Sequence, residues 1–453
     1  MRRINKSLFL VWMMFFLSFS VAYADTVRFF SLDWSYPAFY EILPRALDSF
    51  GQVVCYGSHA PAYPTNFLYA RNVSNGNLIW QYNTILPVNY VTHFNSSGNL
   101  YVIAATGGST TSGLLHKSYV VARAPNTNMT LWQSNNLNSS VTSLGSAESN
   151  VTSTEDVVAG LENGTVVRLS GKNNGAIQWR HNCVGTVYDI VQLNNGSVVV
   201  GTLETLTGTG HIYCFEKNGA LRWSYTPAPS SRLTLVKRFG DVDSDGVPEV
   251  VAVFTDGLIH VLDGATGQEI VPRWPFSVGD DVKDLLCAQD YTGDGFPDIV
   301  AGTANGSLII VNGRDATRFR GPAQISSFTL SYIQYMQFYK NGIAYSNKTL
   351  AVSLQENATA YFIRGINATT LSKTKEYSIN GTARNLFNIG NFTSNFTGDL
   401  VFSVDNMVYS ISGTEIIFSE FPSEIILVLL IGVVWFLVAV LRRAGLRIDG
   451  CFT

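Results

Sequence analysis

Charge is scarce in this chain. Of 453 residues only 14% are charged, 30 basic and 33 acidic, for a net charge of −3, where a typical globular protein carries roughly 25%. Without a basic excess there is no electrostatic footprint for nucleic acid, and none is expected as a partner. Cysteine is rare, five in all, with no adjacent pair and no CxxC spacing, which removes thiolate zinc sites. HExxH, GxSxG, a P-loop and a GxGxxG after a strand are all missing, so the corresponding hydrolase and nucleotide chemistries have no carrier. The six histidines (His59, His93, His116, His181, His211, His260) are scattered. His211 and His260 fall at equivalent strand positions and read as blade residues, not bases or ligands. What is plentiful is 46% hydrophobic residues, 12% aromatics and 39 glycines, which excludes disorder and supplies a large core.

Long apolar runs occur only at the ends. Arg2, Arg3 and Lys6 precede an apolar stretch from Leu8 to Val21 and then Ala22-Tyr23-Ala24, the order of a secretory signal, so residues 1–24 are expected to be removed before Asp25. Ile425 to Leu441 is seventeen residues without a charge, followed by Arg442, Arg443 and Arg447. That is about the minimum to span a bilayer as a helix, and the arginines belong on the cytoplasmic side. The expected order is therefore a signal peptide (1–24), an extracytoplasmic body (25–420), one transmembrane helix (425–441) and a short cytoplasmic tail (442–453).

Fourteen Asn-x-Ser/Thr tripeptides, from Asn72 to Asn395, lie in the body. Their density points to a glycosylated archaeal or eukaryotic cell surface or lumen. Cys55, Cys183, Cys214 and Cys287 would all be exported and permit two disulfides in three pairings.

The body repeats. Trp80, Trp132, Trp179, Trp223 and Trp274 are spaced by 52, 47, 44 and 51 residues. Each follows a turn, as in Asn75-Gly76-Asn77-Leu78-Ile79-Trp80 or Asn174-Gly175-Ala176-Ile177-Gln178-Trp179, and a β-branched or aromatic run precedes that turn. Run, glycine turn and run with Trp is a β-hairpin. Two more strands fit ahead of each hairpin, for example Leu233 to Arg238 and Val250 to Phe254. Four short strands per 45 to 50 residues form a propeller blade. Copies without Trp continue at Leu308 to Gly313, Tyr361 to Thr370 and Met407 to Ile417, giving eight units, with seven left open. The Trp is expected to pack between blades, where a large aromatic buries most area, and not to form a carbohydrate platform. Thr26 to Trp34 would complete the last blade and latch the ring.

The stretch Val261-Leu262-Asp263-Gly264-Ala265-Thr266-Gly267 with the Trp after it resembles the repeats of quinoprotein-like (PQQ-like) eight-bladed β-propellers, a superfamily that holds both dehydrogenases and non-enzymatic scaffolds. The fold class is thus all-β, a propeller of four-stranded blades plus the C-terminal helix. Fold alone does not decide function. The vicinal cysteine pair of many quinoprotein enzymes is missing, and PQQ is not expected as a cofactor.

Two acidic loops share the repeat's register. Asp241, Asp243, Asp245, Gly246, Val247 and Glu249 occupy loop positions 1, 3, 5, 6, 7 and 9, and Asp290, Thr292, Asp294, Gly295, Phe296 and Asp298 repeat them 49 residues on. Alternate carboxylates plus the carbonyl of position 7 can surround one hard cation such as Ca²⁺ with oxygens. With Phe239-Gly240 before the first, the loops are similar to the calcium loops of integrin-α-type FG-GAP repeats. That resemblance implies metal ligands at Asp241, Asp243, Asp245, Val247 and Glu249, and at Asp290, Thr292, Asp294, Phe296 and Asp298. A third copy, Asn391 to Asp399, has lost its charge, and a trace from Glu148 to Asp156 supports only the period. The expected role of the metal is structural. These features predict a non-enzymatic module, membrane-anchored and calcium-braced, that binds a protein or surface glycan. The alternatives are a lumenal subunit of a membrane-protein insertion or folding complex and a quinone-dependent dehydrogenase.

Overall fold

The computed structural model describes residues 27–416, except 39–41, 44, 60–65, 110–115, 148–153, 194–195, 271–272, 328, 341–342, 356–359, 380, 382 and 391–398. The signal peptide, the transmembrane segment, the tail (442–453) with the fifth cysteine, Cys451, and all of the third loop but Asp399 therefore lie outside the described residues. Among the described residues no helix is long and apolar enough to cross a membrane. One compact unit runs from Phe30 to Gly413; the described residues outside it are the outer ends of the first and last strands.

The described residues form thirty-two strands, β1 to β32, in eight four-stranded antiparallel sheets. The innermost strands of blades 1 to 8 are β2 (Leu47–Phe50), β6 (Val88–Ser96), β10 (Val141–Ala147), β14 (Thr186–Gln192), β18 (Leu233–Arg238), β22 (Val282–Gln289), β26 (Leu330–Lys340) and β30 (Arg384–Gly390). Each neighbours the next and β30 neighbours β2, so the ring closes at eight. The sequence placed β18 and β19 (Val250–Phe254) at their observed ends. Second and third strands, such as β11 (Asp156–Leu161) and β12 (Thr165–Leu169), are buried along their whole length, because each blade face packs on another blade and alternation disappears.

The last blade has the order β1-β32-β31-β30. β1 (Val27–Pro37) is its outermost strand beside β32 (Met407–Ile416), as the sequence suggested, and Ala38 N donates to Asn406 O at 2.6 Å just beyond the pairing.

The Trp repeat works by docking onto a glycine. Trp132, Trp179 and Trp223 rings lie 2.6, 2.8 and 2.4 Å from where a Cβ would stand on Gly175, Gly219 and Gly267 of the following blade. These glycines hold φ of +71°, +90° and +73°. The turn glycines are thus demanded twice, by left-handed backbone and by the neighbour's indole. Trp80, Trp179 and Trp223 also donate Nε1–H to carbonyls of the next blade, at Pro125, Lys217 and Gly264.

Blade 5 departs from the pattern. Its fourth strand is only β21 (Phe276–Ser277), after Trp274 and not around it. Pro275 directly follows that Trp, and a residue without an N–H cannot extend a ladder.

Candidate metal centre

Both acidic loops join the first strand of a blade to its second, in blades 5 and 6. In blade 5 the loop wraps its own acids. Asp245 N donates to Asp241 Oδ1 and Asp243 Oδ1 at 3.1 Å each, Gly246 N to Asp241 Oδ2 at 2.9 Å, and Val247 N to Asp245 Oδ1 at 2.7 Å. Gly246 turns the chain at φ +90°. Glu249 is fully buried. Its Oε1 accepts from Val242 N at 2.9 Å and Asp243 N at 3.1 Å, whereas Oε2 is buried with no hydrogen-bond partner. Burial pushes the Glu249 carboxyl up to about 7, against the pull of those two amides. Asp243 is raised too, by desolvation and then by the charges of Asp245, Asp263 and Asp241.

Asp241, Asp243 and Glu249 can bring one oxygen each within 4.8 Å of one another, and so can Asp243, Asp245 and Asp263. In blade 6 the trio is Asp290, Asp294 and Asp298 within the same limit. There Tyr291 N and Thr292 N donate to Asp298 Oδ2 at 2.7 and 2.8 Å, and Gly313 N donates to Oδ1 at 3.1 Å. Thr292 Oγ1 lies 3.3 Å from both Asp290 and Asp298. Burial works against Asp290, but the amides of Gly295 and Gly293 outweigh it and hold its carboxyl below the usual range. Asp298 is raised by burial. The side chains of Val247 and Phe296 pack on the cores of their blades, which leaves only their carbonyls for a ligand role.

Two site residues were missed from the sequence. Asp263, and Asn312 at the same place one blade on, end the third strands and lie over the loops. Asn312 Nδ2 donates to Asp294 Oδ2 at 2.9 Å and lies 3.4 Å from Thr292 Oγ1. The available signal was their shared register, an Asp/Asn-Gly pair 49 residues apart like the loops themselves.

The trace in blade 3 proves to be structure. Asp156, one end of the Glu148 to Asp156 stretch, corresponds to Glu249 and Asp298. It is buried, accepts Gly171 N at 3.2 Å as Asp298 accepts Gly313 N, and pairs through Oδ2 with the fully buried Arg168 Nε at 2.9 Å.

Charged groups also meet on the axis. Arg45, just before β2 in blade 1, lies 3.6 Å from Asp189 of β14 in blade 4 and donates to Tyr188 O at 2.5 Å. Blades 1 and 4 are not adjacent, so this pair crosses the channel. The four described cysteines are free, in blades 1, 3, 4 and 6. The two disulfides that their number permits are not formed among them, and burial pushes the Cys183, Cys214 and Cys287 thiols up to about 12.

Fold and repeat define an eight-bladed β-propeller of four-stranded blades. Residues 116–275 match the family described as outer membrane protein assembly factor BamB. No curated protein sequence matches the chain. Among solved structures it is similar to Sqt1 of Saccharomyces cerevisiae (11% identity, TM-score 0.61, covering 84% of this chain and 98% of that one). It is also similar to BamB of Moraxella catarrhalis (15%, 0.53, 84% and 97%) and to a europium-containing methanol dehydrogenase (11%, 0.57, 84% and 93%). At these identities the likeness is one of fold.

Proposed function

We propose that this chain is an exported, membrane-anchored propeller, braced by calcium, that binds or assembles other proteins and carries no catalysis of its own. The observation that carries this reading is where the acidic chemistry sits. Seven carboxylates are gathered in two loops closed by their own backbone amides, while the axis, where an open substrate cavity would lie, is crossed by the Arg45–Asp189 pair. The residues of the blade 5 loop fit a hard cation. Glu249 Oε2 is an acid oxygen without a donor in a buried place, and such an orphan costs about 1–3 kcal/mol unless something satisfies it. Asp241, Asp243, Asp245 and Glu249 with the Val247 carbonyl would hold Ca²⁺ there. Asp290, Thr292, Asp294 and Asp298 with the Phe296 carbonyl would hold a second. The ion would tie first strand to second and fix the loop face. The name of the family matched by residues 116–275 supports an assembly role over glycan binding.

The test is purification of the full-length protein from gently solubilised native membranes, with calcium or with chelator, and a visible spectrum of the eluate. A specific protein partner retained in calcium and lost in chelator is the expected result. A quinone-like absorption band would overturn the non-catalytic reading, and a thermal transition unmoved by chelator would overturn the calcium brace.

A further inference from the structure

The two acidic loops are joined by packing from one position-9 carboxylate to the other. Phe239, which leads into the blade 5 loop, donates its N–H to Glu249 O at 2.8 Å, and Glu249 N donates to Gly240 O at 3.4 Å. The same two residues face blade 6. The Phe239 ring tip lies 2.5 Å from where a Cβ would stand on Gly313, and the Pro297 ring lies 2.5 Å from that point on Gly240. Gly313 is the residue whose amide donates to Asp298 Oδ1, and Pro297 directly precedes Asp298. Phe239 is 3% exposed, within a core that spans both blades. The sequence of contacts is therefore Glu249, Phe239-Gly240, Pro297 and Gly313, Asp298, with no gap that a methyl group would fit.

We propose that the two loops bind calcium cooperatively, with Phe239 as the coupling residue. This rests on the calcium reading of both loops, for which the independent sign in blade 5 is the orphaned, fully buried Glu249 Oε2, while blade 6 repeats the same loop register with Asp290, Asp294 and Asp298 brought together. A cation drawing Glu249 into fixed position fixes the backbone of Phe239 and Gly240. Packed interiors transmit such shifts instead of absorbing them. The Gly313 amide and Pro297 then hold Asp298 where the second ion needs it. Coupling between sites is reciprocal, so each ion must raise the other's affinity by the same factor.

Calcium titration calorimetry on the full-length protein tests this. Wild type is expected to bind two ions with a Hill coefficient above 1. Asp290→Asn, which disables the blade 6 loop, should weaken the blade 5 site by at least about fivefold, and Asp243→Asn should weaken the blade 6 site by the same factor. Phe239→Leu keeps the position apolar but removes the ring tip packed on Gly313, and should leave two ions binding independently. Two-ion binding in wild type with the blade 5 affinity unchanged in Asp290→Asn would overturn the coupling and leave the calcium reading standing. No calcium binding in wild type would overturn both.

Discussion

Blades 3 and 5 solve one electrostatic problem in two ways. Each buries a carboxylate at the start of its second strand, Asp156 in one and Glu249 in the other. Asp156 has Arg168, drawn from the third strand of its own blade, and Arg168 also donates to Gly196 O of the next blade. Glu249 has backbone amides on one oxygen and nothing on the other. A buried charge is retained only when something opposite accompanies it. Blade 3 carries its cation in the sequence, whereas on the calcium reading proposed above blade 5 would take one from solution. On that reading the first is permanent, and the second would make stability depend on what the medium contains.

The largest effect should come from breaking the internal pair. Arg168→Met leaves Asp156 buried and alone, with an expected loss of about 3–5 kcal/mol in chemical denaturation that calcium does not restore. Next comes the external pair. Calcium at a hundred times its dissociation constant should stabilise the folded protein by about 2.7 kcal/mol per site, seen as a rise in the thermal midpoint. Glu249→Gln should remove the blade 5 share while leaving the calcium-free protein no less stable.

A pH series in chelator sharpens the contrast. Glu249 sits at about 7 when folded, against an ordinary 4.5, so the folded state holds that proton more tightly. Its contribution is complete below about pH 4.5 and is lost as pH rises through about 7. Calcium-free wild type should therefore lose stability over that window, and Glu249→Gln should show a flatter curve. A wild-type curve identical to that of Glu249→Gln would show that the carboxyl is not held neutral. The smallest effect is a conversion: Asn312→Asp gives blade 6 the turn acid that blade 5 has in Asp263, and its calcium affinity should rise severalfold by titration.

Much of this was legible because a propeller repeats itself. The Trp spacing fixed the period, and the period placed strands β18 and β19 to the residue. The loop acids followed from a local motif whose members are two residues apart. What escaped was anything dependent on partners in another strand or blade. Asp263 and Asn312 reach the loops only after the third strand folds back. The stretch ending at Asp156 looked like a degenerate copy, since nothing in its own nine residues reveals that Arg168, twelve positions later, completes it. The Arg45–Asp189 pair joins residues 144 positions apart across the channel. In blade 5 the proline after Trp274 overrode the hairpin rhythm, a local signal that the repeat had masked.

The latch strand has a temporal consequence. The strand that starts at residue 27 waits for a partner strand that starts at residue 407, so during synthesis the first strand to emerge is the last to find its place. Closing so long a loop costs little more than closing one half as long, since the entropy grows only as the logarithm of length. The interval is the greater hazard. Until the final blade is complete, β1 and the outer edge of β32 are both open templates for another chain. Two molecules made side by side could exchange first strands and satisfy every hydrogen bond of the last blade. The step that closes the ring is thus also the step at which a single molecule is distinguished from a swapped pair, and the local concentration of unfinished chains bears on that choice.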